Sequence, residues 1–142
     1  MSNLSVKTFH LQFNTQGSGH TLDITDEVAG TIRESGLQNG TVTVFTPSST
    51  SALTTIEFED GAVSDFKRLF SEIAPENQDY QHNLRWHDGN GHSHVRAALL
   101  GASLSVPFVD GNMQLGTWQQ IIFIDFDNRA RNRRLVCQVM GE

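Results

Sequence analysis

Hydrophobic and polar residues alternate from Val6 to Phe13, which puts Phe9, Leu11 and Phe13 on one side and Thr8, His10 and Gln12 on the other. Successive side chains of a strand point to opposite faces, so a period of two predicts a strand with one buried side. Thr25-Asp26-Glu27 then supplies a cap and first-turn acids for a helix running to about Ser35, with Gly36 as its stop. Asn39-Gly40 turns the chain into a β-branched run from Thr41 to Thr46, and Ala52 to Phe58 reads as a further strand. Val63, Phe66, Leu69, Phe70 and Ile73 recur at helical spacing, with Pro75 just past their end. His94 to Leu100 predicts a short helix closed by Gly101.

The remainder reads as β: Ser103 to Val109, the Asp110-Gly111 turn, Met113 to Leu115, Gln119 to Phe126, and Arg134 to Met140. Asp-Gly between two such runs is a hairpin signal. Ile121-Ile122-Phe123-Ile124 is apolar on both faces and belongs in the middle of a covered sheet. Strands and helices mix without regular βαβ alternation, which predicts an α+β fold. No repeat or linker divides the chain, so residues 1–142 are expected to form one domain.

Composition narrows the function classes. The net charge of −6 argues against a general nucleic-acid binder, which needs a basic footprint. No apolar run reaches the roughly 20 residues of a membrane helix, and the first residues lack the pattern of a signal peptide. The single cysteine, Cys137, cannot form an internal disulfide and fits a reducing cytoplasm. The basic run from Arg129 to Arg134 is either a solvated turn beside a strand or a phosphate clamp.

The candidate chemistry concentrates in one segment. Four of the six histidines, His82, His87, His92 and His94, fall within thirteen residues, together with Asp88 and Asn90. Imidazoles with a carboxylate suit zinc and its first-row neighbours, and the Gly/Asn-rich composition is that of a loop. The plainer reading is a set of polar loop residues without a ligand. His92 and His94 would face one side in extended backbone; at the start of a helix they would diverge by about 200°, and only one could join His82. Trp86 beside His87 suggests packing there, and His10 and His20 read as structural.

Two further constellations stand elsewhere. Thr46-Pro-Ser-Ser-Thr-Ser51 offers hydroxyls to a phosphate, through Ser49 and Thr50, or is a plain turn; it has neither the glycines nor the lysine of a Walker loop. Glu57 is either an acid/base group and ligand or the polar face of its strand. Thr117 and Gln119, in Gly116-Thr-Trp-Gln-Gln120, carry polar tips beside the apolar strand and could face a cleft.

Ala52-Leu-Thr-Thr-Ile-Glu57, Asp88-Gly-Asn-Gly-His-Ser-His94, Leu99-Leu-Gly101, Val109-Asp-Gly111 and Gly116-Thr-Trp-Gln119 together resemble the YjbQ-like family, whose members are often labelled secondary thiamine-phosphate synthases. The resemblance covers nearly the whole chain. It implies an α+β fold with a β-sandwich core and two to three helices, a homotrimer, and a metal-associated cleft around His82 and His94, with His92 matching many relatives. Many members carry a histidine in a Pro-His-Thr-Thr-Ala pattern where this chain has Pro47-Ser48-Ser49-Thr50-Ser51. A hydroxyl does not replace imidazole as a strong zinc ligand, so no ligand is carried over to Ser48.

The combined expectation is a cytoplasmic, trimeric, metal-associated enzyme. His82, His92 and His94 are its metal ligands, and Glu57 and Asp88 its acid/base or supporting groups. Ser49, Thr50, Asn90, Thr117 and Gln119 position a small phosphorylated molecule. Zinc is the expected metal, with Mg²⁺ the alternative if the substrate is a diphosphate. The implied side activity joins a pyrimidine diphosphate to a thiazole phosphate. A non-catalytic module for a phosphorylated metabolite and a metal-dependent hydrolase are the two rival readings, and neither nucleic acid nor a membrane is an expected partner.

Overall fold

Ile121, Ile122, Phe123 and Ile124 are completely buried. Their strand runs between two others and is covered on both faces, as its lack of polar positions requires. The computed structural model describes residues 3–142; Met1 and Ser2, where the reading of the N-terminal segment began, lie outside them. In chain order the elements are β1 (Ser5–Thr15), β2 (His20–Asp23), α1 (Thr25–Ser35), β3 (Gly40–Phe45), β4 (Ser51–Ile56), α2 (Asp60–Ile73), α3 (Gln81–Trp86), α4 (Gly91–Leu100), β5 (Ser103–Val109), β6 (Asn112–Met113), β7 (Gln120–Asp125) and β8 (Arg131–Gly141). No helix among the described residues is long and apolar enough to cross a membrane.

The strands form two antiparallel sheets, ordered β1-β8-β3-β5-β6 and β2-β7-β4. Alternation along β1 and β8 sends Phe9, Leu11, Phe13, Leu135, Cys137 and Val139 into the larger core, where they meet Leu53, Ile121 and Phe123 of the smaller sheet and Ile24, Val28 and Ile32 around α1. The opposite face of the smaller sheet, Ala52, Ile124 and Phe126, packs against Phe66 and Phe70 of α2 and Ala97 and Leu100 of α4. Each large apolar side chain so buried contributes about 1.5–3 kcal/mol. Burial also pushes the Cys137 thiol up to about 11, so it packs as a small hydrophobe.

The α+β class and the central place of β7 hold. The boundaries of α1 and β5 agree with the sequence pattern, and Gly36 ends α1 in the left-handed region at φ 74°. Four differences have local causes. Thr25 does not cap α1. It is the first helical residue, its hydroxyl donates to Asp23 Oδ1 (2.6 Å), and its oxygen accepts from the Ile121 N–H (2.9 Å), tying the helix start to β7. The four-residue β2 is too short to show a period, yet it pairs with β7. α4 begins at Gly91 rather than His94, and α3 forms inside the segment that reads as loop, so the described residues hold four helices rather than two to three.

β7 is covered within one chain, by the larger core on one face and by α2 and α4 on the other. Its apolar character therefore gives no reason for a second copy of the chain.

Candidate functional site

Residues 80–94 fold as a tight helical hairpin. Tyr80 stands before α3 in extended backbone, and its hydroxyl donates to the Pro75 carbonyl (2.7 Å). His87 ends α3 in the left-handed region, its N–H bonded to the Asn83 carbonyl (2.8 Å). The chain then turns through Asp88-Gly89-Asn90 into α4. Asn83 Oδ1 accepts from the Gly91 N–H at 2.8 Å, locking the two helices together. A Cβ at Gly91 would lie 2.4 Å from Tyr80 Cβ, so only glycine lets the hairpin close.

This closure brings His82 of α3 against His94 of α4, with ring centroids 4.2 Å apart and the planes tilted by 41°. His82 Nδ1 is buried and 3.2 Å from Asp88 Oδ1, but it makes no hydrogen bond. Burial, and after it the neighbouring His82, lowers the His94 pKa, while Asp88 and Asp127 oppose the shift. His94 therefore keeps a free lone pair at neutral pH. It lines a cleft of about 470 Å³ with Ser48, Ser49, Ser51 and the small side chains Ala97 and Ala98.

His92 takes the other side of α4, as a helical backbone demands of residues two apart. It is buried, with Nε2 3.3 Å from Ser93 Oγ and 3.6 Å from Glu76 Oε1. Burial and then the charge of Arg96 lower its pKa. The structure thus gathers His82, Asp88 and His94 and sends His92 elsewhere; His87 is exposed. Two ligands of one tetrahedral ion with bonds of about 2.0–2.1 Å stand about 3.3 Å apart, which is close to the His82–Asp88 separation. Among the described residues, however, no group of three or more His, Cys, Asp or Glu side chains is arranged to hold a metal ion.

The other expected site residues divide between two ends of the smaller sheet. Ser49 lies at the His94 cleft. Thr50 sits beside it but is buried, donating to Asp127 Oδ2 (3.0 Å) and accepting from Arg133 Nη2 (2.8 Å), so its hydroxyl is already engaged. Asn90 is also buried; its Oδ1 accepts from the Ser93 hydroxyl (2.5 Å) and from the Asn128 N–H (3.1 Å), and the second bond ties the start of α4 to the segment after β7. Glu57 is exposed just beyond β4, six residues from Ser51 and hence about 20 Å along the strand. Gln119 is at that far end too, with Oε1 accepting from the Gly116 N–H and Nε2 donating to Thr55, both at 3.0 Å; Thr117 is exposed beside it. Within one chain, Glu57, Thr117 and Gln119 do not meet the histidines.

Sequence reasoning missed a buried ionic layer beneath the site. Asp125 is fully buried and receives Arg133 Nε (2.7 Å), Arg133 Nη2 (3.0 Å) and the Thr15 hydroxyl (2.6 Å). Asp127 is bridged by Arg131 at 3.1 Å. Burial raises the Asp127 carboxyl, but hydrogen bonds from Thr50, Asn90 and Arg131 outweigh it and bring the pKa below the ordinary value. The arginine run is therefore half internal, Arg131 pairing with Asp127 and Arg133 with Asp125 while Arg129 and Arg134 stay exposed. Two aspartates at the end of an otherwise apolar strand, followed by arginines at alternate positions, were the signal.

The same arrangement of elements occurs in known proteins. The profile of the family described as UPF0047 protein YjbQ-like matches residues 9–142. A UPF0047 protein of Methanothermobacter thermautotrophicus is 40% identical over 139 residues, covering 98% of this chain and 95% of the relative. YugU of Bacillus subtilis, also a UPF0047 protein, is 35% identical over 133 residues, with 92% and 97% covered. The crystal structure of a YbjQ-like protein of unknown function from Sulfolobus solfataricus P2 superposes with a TM-score of 0.93 at 30% identity, covering 99% of this chain and 100% of that one. With the profile, the sequence identity and the superposition all spanning nearly the full length, this chain belongs to the YjbQ-like, UPF0047 family.

Proposed function

We propose that the chain is a metal-associated enzyme of its family, acting on a small phosphorylated molecule in the His94 cleft. The observation that carries this reading is the buried His82 Nδ1, which makes no hydrogen bond, beside Asp88 Oδ1 and the His94 ring. A buried polar atom without a partner is costly, and a shared cation removes the cost. His82, Asp88 and His94 would hold a divalent transition metal, zinc by ligand preference, with the remaining positions open. Such an ion supplies Lewis-acid polarisation of a substrate oxygen. Ser48 and Ser49 donate hydroxyl hydrogen bonds to the phosphate, and the Ala97–Ala98 wall leaves room for the rest of the molecule. The reaction to try first is joining a pyrimidine methyl diphosphate to a thiazole phosphate, in which the ring nitrogen forms a bond to the methylene carbon and pyrophosphate leaves with the C–O electron pair.

Elemental analysis of the purified chain should find a divalent transition metal near one per chain, and His82→Ala/His94→Ala should lose it. Retention should fail as pH drops below the usual histidine range of about 6.5, because the proton competes for the imidazole lone pair. The lowered His94 pKa delays that loss toward more acid conditions. Turnover of the two phosphorylated halves should disappear in the double variant. A wild-type chain free of metal and inert with those substrates would overturn the reading.

Self-association as a homotrimer belongs to the same proposal. Its support is the outer face of the larger sheet, where exposed Val6 pairs in register with exposed Met140 and exposed Phe45 with Val136. Sedimentation should report about three times the 15.8 kDa chain. A monomer at micromolar concentration would remove the trimer and leave the metal reading standing.

A further inference from the structure

A second pocket lies on the other side of α4. It is about 350 Å³ in volume, walled by the β1–β2 turn at Ser18 and Gly19, by Lys67 and Ser71 of α2, by the segment at Glu76 and Asn77, and by Arg96. Arg96 is only 7% exposed. Its Nε donates to the Ala74 carbonyl at 2.9 Å, and its guanidinium carbon sits 5.8 Å from the centre of the Phe126 ring. Among the described residues no carboxylate forms an ion pair with it, and its terminal nitrogens take no hydrogen bond. They are not sealed in, because Arg96 opens on the pocket.

A guanidinium stays protonated under ordinary conditions, and the carboxylate of Glu76 acts on Arg96 through its field without forming an ion pair; a buried charge so incompletely compensated is unfavourable. The ion-paired arginines inside this protein, Arg131 and Arg133, each have an aspartate. Arg96 faces instead a pocket containing a second cation, Lys67. Ser18 adds a hydroxyl that bonds to no described residue, held at φ 54°, in the left-handed region. Its backbone N–H and that of Gly19 are occupied by the Asp127 and Asp125 carbonyls, so the side chain is what remains for a ligand. The one carboxylate of the wall, Glu76, leans toward His92 at 3.6 Å. Two cations against one carboxylate leave the pocket net positive.

We infer that this pocket is an oxyanion-binding site, in which Arg96 and Lys67 clasp the carboxylate or phosphate group of a small molecule and Ser18 donates a further hydrogen bond. Bidentate pairing with a planar or tetrahedral oxyanion is what two free terminal guanidinium nitrogens do best. The site is separate from the His94 cleft and does not depend on the metal reading. The carboxylate of Glu76 weakens binding and disfavours highly charged anions.

The test is an NMR titration of the full chain with inorganic phosphate and, in parallel, with acetate, at ionic strength held constant with chloride. The amides of Ser18, Gly19 and Asn77 should shift and saturate with at least one of the two anions; which one saturates identifies the ligand group. Arg96→Gln should weaken binding about tenfold or more, the loss expected for a charge-assisted hydrogen bond. Lys67→Gln should weaken it less and Glu76→Gln should tighten it. His94→Ala should leave it unchanged, which separates this site from the metal cleft. No saturable shift with either anion would overturn the inference, and so would undiminished affinity in Arg96→Gln. If Arg96→Gln fails to fold by circular dichroism, exposed Lys67 decides: undiminished affinity in Lys67→Gln overturns the inference.

Discussion

Asp125→Asn should destabilise the fold by about 3–5 kcal/mol, measured by denaturant unfolding, because it breaks a buried ion pair from one side. The amide keeps the shape of the carboxylate but not its charge. Arg133, whose side chain is only 14% exposed, would then be left with the neutral Thr50 hydroxyl at 2.8 Å and, as its remaining charged partner, Asp127 at 3.6 Å, too far for a good hydrogen bond. The Thr15 hydroxyl would lose its charged acceptor as well. Asp127 softens the loss, which places the result toward the lower end of the range. Replacing both partners, Asp125→Leu with Arg133→Met, should cost less than Asp125→Asn alone, since no buried charge is then orphaned. A loss well below 1 kcal/mol in the single variant would show that water reaches this layer.

Gly91→Ala should act at a distance from the chemistry. The added carbon would stand 2.4 Å from Tyr80 Cβ and 2.7 Å from Cγ, neither of which is a flexible chain end. Tyr80 is fixed by its hydroxyl bond to Pro75, so relief must come from moving α3 away from α4. Overpacking of this kind costs about 1–3 kcal/mol in stability. It should also separate His82 from His94 and reduce metal retention without altering any ligand. Gly116→Ala is the control: the nearest heavy atom to its added carbon is 3.6 Å away, and its φ is not positive, so stability and metal content should both stay near wild type. Equal behaviour of the two variants would mean that the hairpin tolerates opening.

The histidine cluster was legible from composition, but its partition was not. Four histidines in thirteen residues identify the segment, and the alternatives for His92 and His94 follow from backbone geometry alone. Choosing between them needed the start of α4, which Gly91 and Asn90 set through contacts with Tyr80, Asn83 and Asn128. α3 was illegible because six residues are too few for a helical period. Glu57 read as either an acid/base group or the polar face of its strand; only the length of β4 shows that it sits at the end opposite His94.

What the sequence determined by itself is local: the period of two in β1, the bounds of β5, the helical spacing of α2, the stop at Gly36, and the doubly apolar β7. These are preferences of a few neighbouring residues for one backbone shape and one buried side, and they survive whatever the rest of the chain does. Only the tertiary structure decided which surfaces meet. β1 lies along β8, with Ser5 opposite Gly141; Arg133 reaches Thr50; and α4 sets His94 toward one cleft and Arg96 toward another. Those pairings depend on burial and charge compensation between residues far apart in sequence, which no local pattern encodes.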